Sequence, residues 1–335
     1  MAGVSVTTVS RVLNDRPDVN RETRAAVLKV VEECGFVRNA NAKNLKQADG
    51  EFAAIIVRGY SNPFLGSVTE RMLHFSARTN VSFLLEYIDE KGDEFATALR
   101  LFNEKRATGF ILLGSRIDDR AAAVRQLDIP FVFATVNAAS LPLRKVASVC
   151  IDDRAMARKA VSALLEQGHR RVAVFGGQRD CSDSLALRYQ GALDAFGAHG
   201  VAFEDKRYVE TRFSIHGAYE CAKAFFAECP DTTAVFAMSD LVAIGVIRAL
   251  RDMGRSVPGD VSVMGFDGIE IGRFTIPTLA TVRQPIDLLA EASVSVLLEM
   301  MHGDVTSRNL LLDAELMEGE SVAPPANVIR ADVTA

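Results

Sequence analysis

The chain has 335 residues, of which 49% are hydrophobic and 24% are charged. This composition is typical of folded globular chains, so it excludes a disordered, collagen-like or disulfide-stapled protein, and the length favours two or three domains. The first 50 residues hold eight Lys or Arg against six Asp or Glu, a net +2, whereas the rest of the chain carries a net −7. A basic head on an acidic body suits contact between one end of the molecule and a polyanion.

Further classes are disfavoured by what the sequence lacks. Trp is absent and aromatic residues make up 7%, which argues against a single-strand nucleic-acid binder that stacks bases. The five cysteines never show a C-x-x-C spacing, so we expect no metal site and no disulfide framework. Phosphate-loop, G-x-S-x-G and H-E-x-x-H motifs are absent as well, so we expect no catalytic residues, no cofactor and no enzymatic activity.

The sequence also bears on where the protein acts. No apolar run approaches the ~20 residues that span a bilayer. The N-terminus lacks a basic segment followed by an apolar one, the mark of a secretion signal. We therefore expect a cytoplasmic protein that has no membrane partner.

The first part of the chain predicts two helices. Ser5 is a good N-cap for a short helix over Val6–Leu13, and Asn20 caps a second helix over Arg21–Cys34. The apolar positions that would pack inward are Val9, Val12 and Leu13 in the first helix and Val27, Val30, Val31 and Cys34 in the second.

The polar positions of the short helix then face outward. They are Thr7, Thr8, Ser10 and Arg11. Hydroxyls can bond phosphate oxygens, and an arginine can bond guanine through two N–H groups. Composition alone favours the alternative of an exposed polar helix in any small helical domain.

From residue 51 the chain alternates short apolar runs with amphipathic stretches. The runs predicted as strands are Phe52–Val57, Val81–Tyr87, Gly109–Gly114, Pro130–Val136, Val146–Ile151, Arg171–Gly177, Thr233–Met238 and Asp260–Phe266. They are continuous rather than alternating, which predicts parallel strands covered on both faces by helices. A helical pattern such as Arg154–Gln167, followed by Gly168, fits between them.

These units predict an α/β fold with two doubly wound lobes that divide near residue 150. The helical pattern over Ile286–His302 is not followed by another clear strand series, so we expect it to return to an earlier sheet. Ligands of open parallel sheets bind beyond the carboxyl ends of the strands. The residues that follow the runs carry hydrogen-bonding groups and an occasional ring, which suits a polyhydroxylated or amphipathic small molecule.

The order of residues in the head carries a more specific signal. Residues 4–14, Val-Ser-Val-Thr-Thr-Val-Ser-Arg-Val-Leu-Asn, closely resemble the recognition helix of the LacI/GalR family of bacterial transcriptional repressors. Segments that match other landmarks of the family are 35–45, Asn62-Pro63-Phe64, 168–171, 188–191, Ser239-Asp240, 243–245, 257–262, Gly265-Phe266-Asp267 and 281–285. The resemblance therefore extends through nearly the whole chain.

This resemblance implies two periplasmic-binding-protein-like lobes preceded by a small all-α helix-turn-helix DNA-binding head. The expected domains are a partial helix-turn-helix domain at 1–37, a hinge helix and linker at 38–50, and a two-lobed effector-binding and dimerisation domain at 51–335. Within the last, the N-lobe takes about 51–150 plus 286–312, and the C-lobe about 151–285 plus 313–335.

The resemblance also implies roles in DNA binding. Val6, Thr7 and Arg11 match the family's major-groove contacts, and the residues that would position phosphates are Ser5, Thr8, Ser10 and Asn14. Leu45 falls where the family inserts a leucine wedge into the minor groove, at the centre of a near-palindromic operator. We expect the segment Ala40–Lys46 to become helical only on double-stranded operator DNA, with two copies packed together in a homodimer.

A second set of implied roles concerns a small-molecule effector bound between the lobes. The matching positions are Phe64, Arg188, Phe213, Ser239 and Asp267. Arg188 and Asp267 offer charge-assisted bonds to hydroxyls or to an anionic group, although a surface or interlobe salt bridge is the alternative for Arg188. A sugar or sugar derivative is expected, but Thr135 stands where some sugar-responsive members place an acidic residue, which leaves the effector's identity open.

Two departures from the family pattern affect the head. The family's domain begins with a further helix that ends in an Ala-Gly turn, whereas this sequence opens at Met1-Ala2-Gly3, so we expect the natural start to lie further upstream. Arg38 replaces the proline that usually precedes the hinge helix, which predicts a looser hinge.

The sequence therefore favours a dimeric, ligand-controlled DNA-binding repressor. The main alternative is a cytosolic sugar-binding protein of the same two-lobed fold without DNA activity. A transport protein would need an export signal, and a cytosolic enzyme with a Rossmann-like lobe would need a phosphate loop.

Overall fold

The structure is a computed structural model of the chain. It describes residues 4, 8, 12, 20–33, 52–60, 62–117, 119–141, 143–177, 183–304 and 306–326. The chain forms two compact units, Met1–Gly50 and Glu51–Ala335.

In the first unit, helix α1 spans Arg21–Glu33. The Asn20 side chain caps it, because its Oδ1 accepts the N–H of Thr23 at 2.8 Å. The predicted second helix and its cap are therefore confirmed. Thr8 and Val12 are also helical, and Val12 and Val27 are buried, as the apolar stripes predict.

The second unit contains two six-stranded sheets and seven helices among its described residues. The helices are α2 (Pro63–Ser76), α3 (Glu94–Lys105), α4 (Asp153–Glu166), α5 (Asp183–Ala198), α6 (Ile215–Glu228), α7 (Asp240–Asp252) and α8 (Ile286–His302). Short 3-10 helices occupy Asp119–Val124, Asp205–Arg207 and Glu270–Phe274.

The first sheet, which we call the N-lobe sheet, consists of parallel strands. They are β1 (Phe52–Arg58), β2 (Ser82–Ile88), β3 (Gly109–Leu113), β4 (Phe131–Ala134), β5 (Val146–Ile151) and β11 (Ser307–Leu312). Their order is β11-β5-β4-β3-β1-β2. Helices α2 and α8 pack against each other, and together with the sheet they enclose one apolar core, while α3 covers the opposite face.

The second sheet, the C-lobe sheet, repeats this arrangement. Its strands are β6 (Val172–Gly176), β7 (Tyr208–Glu210), β8 (Ala234–Ala237), β9 (Ser262–Asp267), β10 (Ala280–Arg283) and β12 (Glu315–Met317). Their order is β12-β10-β9-β8-β6-β7, and only β12 runs antiparallel to its neighbour. Helices α4 and α5 cover one face, and α6 and α7 cover the other.

The chain crosses between the two lobes three times. It passes from β5 into α4, returns from β10 into α8, and crosses again between β11 and β12. The two parallel-sheet lobes are thus joined by three short connections, which leaves the carboxyl ends of both sheets free to face a shared cleft. Within the described residues, no helix is long and apolar enough to cross a membrane.

Burial explains which strands the sequence revealed. Every residue of β3, β4, β6 and β8 is buried, which produces the continuous apolar runs. Strands β7, β10, β11 and β12 were not predicted. Three of them lie at sheet edges and expose many residues, so their apolar pattern is weak, and β10 alternates apolar with polar residues in Ala-Thr-Val-Arg.

Helices α4 and α5 approach each other closely because Gly191 of α5 lies against the main chain of α4. A Cβ atom at this position would collide with the carbonyl oxygen of Arg154. Gly197, in the same helix, has open space around the equivalent position. Of the two glycines in α5, only Gly191 is therefore required by packing.

We predict that Gly191→Ala lowers the free energy of unfolding by about 1–3 kcal/mol, because α5 must move away from α4. Gly197→Ala is the matched control and should raise stability by up to about 1 kcal/mol, since alanine favours helix. Urea denaturation followed by circular dichroism measures both. Equal midpoints for the two variants would contradict the packing argument.

Candidate functional site

A buried polar cluster lies at the carboxyl ends of the C-lobe strands. Its central residue is Arg188 of α5, whose side chain is only 8% exposed. Asp153 at the start of α4 and Asp267 at the end of β9 approach it from two sides. A guanidinium can be buried at such low exposure only if opposite charges and hydrogen-bond acceptors surround it.

Among the residues that the structure describes, Arg188 makes three hydrogen bonds. Its Nε donates to Asp153 Oδ1 at 2.7 Å, and its Nη1 donates to the Met238 carbonyl at 2.6 Å and to Asp267 Oδ1 at 3.3 Å. One face of the guanidinium also lies 3.7 Å from the centre of the Phe266 ring. These contacts fix both the position and the plane of the side chain.

Asp267 is held in an unusual backbone conformation. Its φ is +113°, which L side chains rarely adopt and which costs free energy that the surroundings must offset. The Gln284 side-chain amide donates to Asp267 Oδ1 at 3.0 Å, the Gln284 N–H donates to the Asp267 carbonyl at 3.2 Å, and Ser239 also bonds the carboxylate. The strained backbone thus presents the carboxylate to Arg188.

A third buried carboxylate, Asp240, supports the loop that follows Asp267. Its Oδ2 accepts the N–H of Ile269 at 2.8 Å, and its Oδ1 accepts the Thr281 hydroxyl at 2.6 Å. Asp240 therefore ties the start of α7 to β10 and to the loop after β9, and it holds that loop in place.

Burial changes the acidity of all three carboxyl groups. It raises the pKa of Asp240 to about 7, with a further increase from the nearby Asp267 carboxylate. It raises the pKa of Asp267 to about 6 against the opposing effects of Arg188, Ser239 and Gln284. Burial also raises the pKa of Asp153, which Arg188 opposes. Protonation of these groups favours the folded state, so their contribution to stability falls as pH rises towards the folded pKa values.

We predict that the free energy of unfolding of the Asp240→Asn variant increases relative to that of wild type as pH rises from 5 to 8. The wild-type carboxyl must ionise in a buried site, whereas the amide cannot ionise, so the stability difference should shift by about 2 kcal/mol towards the variant. Urea unfolding at both pH values measures this difference, because the titration of groups far from Asp240 is common to both proteins and cancels. A difference that does not change with pH would contradict it.

The C-lobe cluster is linked directly to the N-lobe. Ser184, one turn before Arg188 in α5, donates its hydroxyl proton to the Thr135 carbonyl at the end of β4, at 2.8 Å. Thr135 itself has a positive φ of 76°. Leu241 follows Asp240 in α7, and Ile269 lies in the loop that Asp240 bonds. Both side chains join the apolar core of the N-lobe. Polar and apolar contacts therefore connect the two lobes beside the cluster.

The sequence-predicted effector residues divide into three groups. The structure brings Arg188, Ser239 and Asp267 together in the cluster. Phe213 lies in the same lobe, half-buried between its two cores, and covers Gly177 at the end of β6. Phe64 lies across the cleft and is buried in the N-lobe core that Leu241 and Ile269 join.

The structure also resolves the alternative for Arg188. Its ion pairs are neither exposed nor interlobe, because Asp153 and Asp267 both belong to the C-lobe and are buried. A surface salt bridge would have left the guanidinium hydrated.

Three residues of the cluster were not predicted as site residues. Asp153 follows β5 and starts α4, where an acidic residue is expected as an ordinary helix-start residue. In the sequence, Asp240 and Gln284 were noticed only as members of polar loops or family landmarks, and no role was assigned to either. The common signal is their position directly after a strand, at the edge where ligands bind.

Most DNA-binding predictions lie outside the described residues. This holds for Ser5, Val6, Thr7, Ser10, Arg11, Asn14 and Leu45, and for the hinge. Thr8 is described, and it is helical and partly exposed, as expected for a residue on the outer side of a short helix.

The fold and the cluster define a two-lobed, periplasmic-binding-protein-like body. The chain matches the model of the periplasmic binding protein-like domain over residues 140–322 and that of the bacterial regulatory proteins of the lacI family over residues 1–39. The HTH-type transcriptional regulator MalR of Clostridium butyricum is 32% identical over 324 residues, which cover 96% of each chain. The chain therefore belongs to the LacI family of bacterial transcriptional regulators.

Solved structures agree with this assignment. A complex of the transcriptional regulator CelR with cellobiose is 27% identical, covers 96% of this chain and 97% of its own, and superposes with a TM-score of 0.72. The lac repressor dimer bound to operator and the anti-inducer ONPF is 24% identical, covers 96% of each chain, and superposes with a TM-score of 0.74. The second likeness concerns the fold alone.

Proposed function

We propose that this regulator is a repressor that binds a near-palindromic operator as a homodimer in the cytoplasm, and that a small metabolite bound between its lobes controls the affinity for DNA. The observation that carries the proposal is the buried cluster around Arg188. It lies at the carboxyl ends of the C-lobe strands, beside direct contacts to the N-lobe, in a chain with a LacI-family head.

The chemistry of the cluster supports a sugar or sugar derivative as the effector. Asp153 and Asp267 supply carboxylate oxygens that accept hydrogen bonds, and the Arg188 guanidinium donates them. Sugar hydroxyls both donate and accept, so they match such alternating partners. Phe213, which packs against Gly177 at the end of β6, adds an apolar ring of the kind that packs on a pyranose face. That CelR was solved with cellobiose is consistent with this class.

We infer a binding role rather than a catalytic one. The carboxylates of the cluster are bonded to a guanidinium, to amides or to hydroxyls, and such bonds orient groups instead of freeing them to attack a substrate. The relatives are transcriptional regulators, which agrees with this inference.

The interlobe contacts supply a route for control. Opening the cleft would break the bond from Ser184 to Thr135 and separate Leu241 and Ile269 from the N-lobe core. A ligand that bridges the lobes favours the closed arrangement only to the extent that it binds that arrangement better. Coupling on the order of 1–3 kcal/mol between the effector and operator sites would suffice for regulation.

We predict that selection from random duplex DNA enriches a two-fold symmetric sequence. Two copies of one head read two equivalent half-sites, so symmetry in the DNA follows from symmetry in the dimer. The selection is performed with the chain and with a version extended through any in-frame upstream codons. Affinity for the selected site should exceed that for random duplex by about 1,000-fold or more. Failure of both proteins to prefer any sequence would overturn the proposal and favour a sugar-binding protein without DNA activity.

We predict that Arg11→Ala weakens binding to the selected site by about 1–3 kcal/mol and relaxes preference at one base pair per half-site, because a base-reading arginine is lost. Arg251→Ala is the charge-matched control, since it removes an exposed arginine from α7 of the C-lobe. Fluorescence anisotropy with single-base operator variants measures both effects. An equal, sequence-independent loss in the two variants would contradict the assigned role.

A further inference from the structure

The hydrogen bonds of Arg188 leave it poorly suited to bind an anion. A guanidinium grips a carboxylate or phosphate through two parallel N–H groups on one edge. Asp153 occupies Nε on one edge, and the Met238 carbonyl occupies Nη1 on the other. Within the described part of the chain, only Nη2 carries no hydrogen bond, and it can serve as a single donor to a hydroxyl.

The charge around Arg188 also disfavours an anion. Asp153 and Asp267 already bond this one guanidinium, and the carboxyl group of Asp240 lies close to that of Asp267. Across the cleft, the buried guanidinium of Arg58 is paired with Glu94. Within the described residues, the carboxyl groups of the cluster therefore outnumber its one guanidinium, and an incoming anion meets no positive charge that is not already paired.

We propose that Asp153 is a specificity-determining residue that excludes anionic effectors and selects uncharged polyhydroxylated ones. This inference rests on the proposed function. Asp153 acts in two ways: it occupies the Nε edge of Arg188 at 2.7 Å, and it adds a second negative charge to the cluster. Sugar acids and sugar phosphates are rejected, whereas a neutral sugar donates its hydroxyl protons to the carboxylates and accepts from Nη2.

Asp153 rather than Asp267 has this role because of how each residue is held. Asp267 is also bonded by Gln284 and Ser239 and contacts Arg188 only at 3.3 Å. The shorter bond of Asp153 neutralises the edge that an anion would need, so removing its charge leaves the positive charge of that edge available to attract an acidic ligand.

The adjacent Asp152 provides a matched control. It is exposed, and its side chain caps α4 by accepting the N–H of Ala155 at 2.9 Å. Asparagine caps helices as well as aspartate does, so Asp152→Asn removes one negative charge next to Asp153 without altering the bonds of Arg188.

The test measures how tightly wild type, Asp153→Asn and Asp152→Asn bind pairs of sugars, in which one member is neutral and the other is acidic and has the same ring configuration. The probes are glucuronamide with glucuronate, galactose with galacturonate, and glucose with glucose 6-phosphate, measured by thermal shift and calorimetry. We expect Asp153→Asn to bind the acidic member of a pair about tenfold or more tightly than wild type does, since one nearby charge is removed. Asp152→Asn should behave as wild type.

Two results would overturn the inference. One is wild type binding an acidic sugar as tightly as its neutral counterpart, a comparison that does not depend on the folding of any variant. The other is Asp153→Asn and Asp152→Asn showing the same response to acids. Operator binding is measured in parallel. If operator binding persists when either of these results is found, the role of Asp153 is wrong but the proposed function is not contradicted.

Discussion

The burial of one positive charge organises the C-lobe side of the cleft. Arg188 cannot leave water unless carboxylates and a carbonyl replace its hydration, and Asp153, Asp267 and Met238 do so. These partners come from the start of α4, the end of β9 and the end of β8. Because breaking any of these bonds would leave a buried polar or charged group without that partner, the elements are held in one relative arrangement, and the cluster is preorganised.

The same constraint extends to the lobe interface. Asp240 holds the loop after Asp267, and that loop carries Ile269 into the N-lobe core. Ser184, one turn from Arg188, bonds the N-lobe at Thr135. A ligand that contacts the cluster therefore touches elements that also set the distance between the lobes. In the proposed function, this shared set of residues connects the ligand to the distance between the lobes.

The sequence predicted the strands that helices bury on both faces of a sheet. Central strands such as β3 and β8 appear as continuous apolar runs, whereas an edge strand such as β11 exposes most of its residues and was not predicted. Of the cluster residues, Arg188 and Asp267 were predicted as effector-binding residues through family landmarks, and that role stays a prediction. Asp153 was missed because it lies 35 residues from Arg188, and only tertiary packing turns a helix-start residue into an ion-pair partner.

The most direct test of the account is thermodynamic reciprocity between the two binding sites. A neutral sugar that raises the melting temperature is titrated into the protein with and without its selected operator, and operator affinity is measured with and without that sugar. If the cleft governs the head, each ligand must change the affinity for the other by the same factor, about 5- to 150-fold. Sugar affinity that is identical on and off the operator would contradict the account.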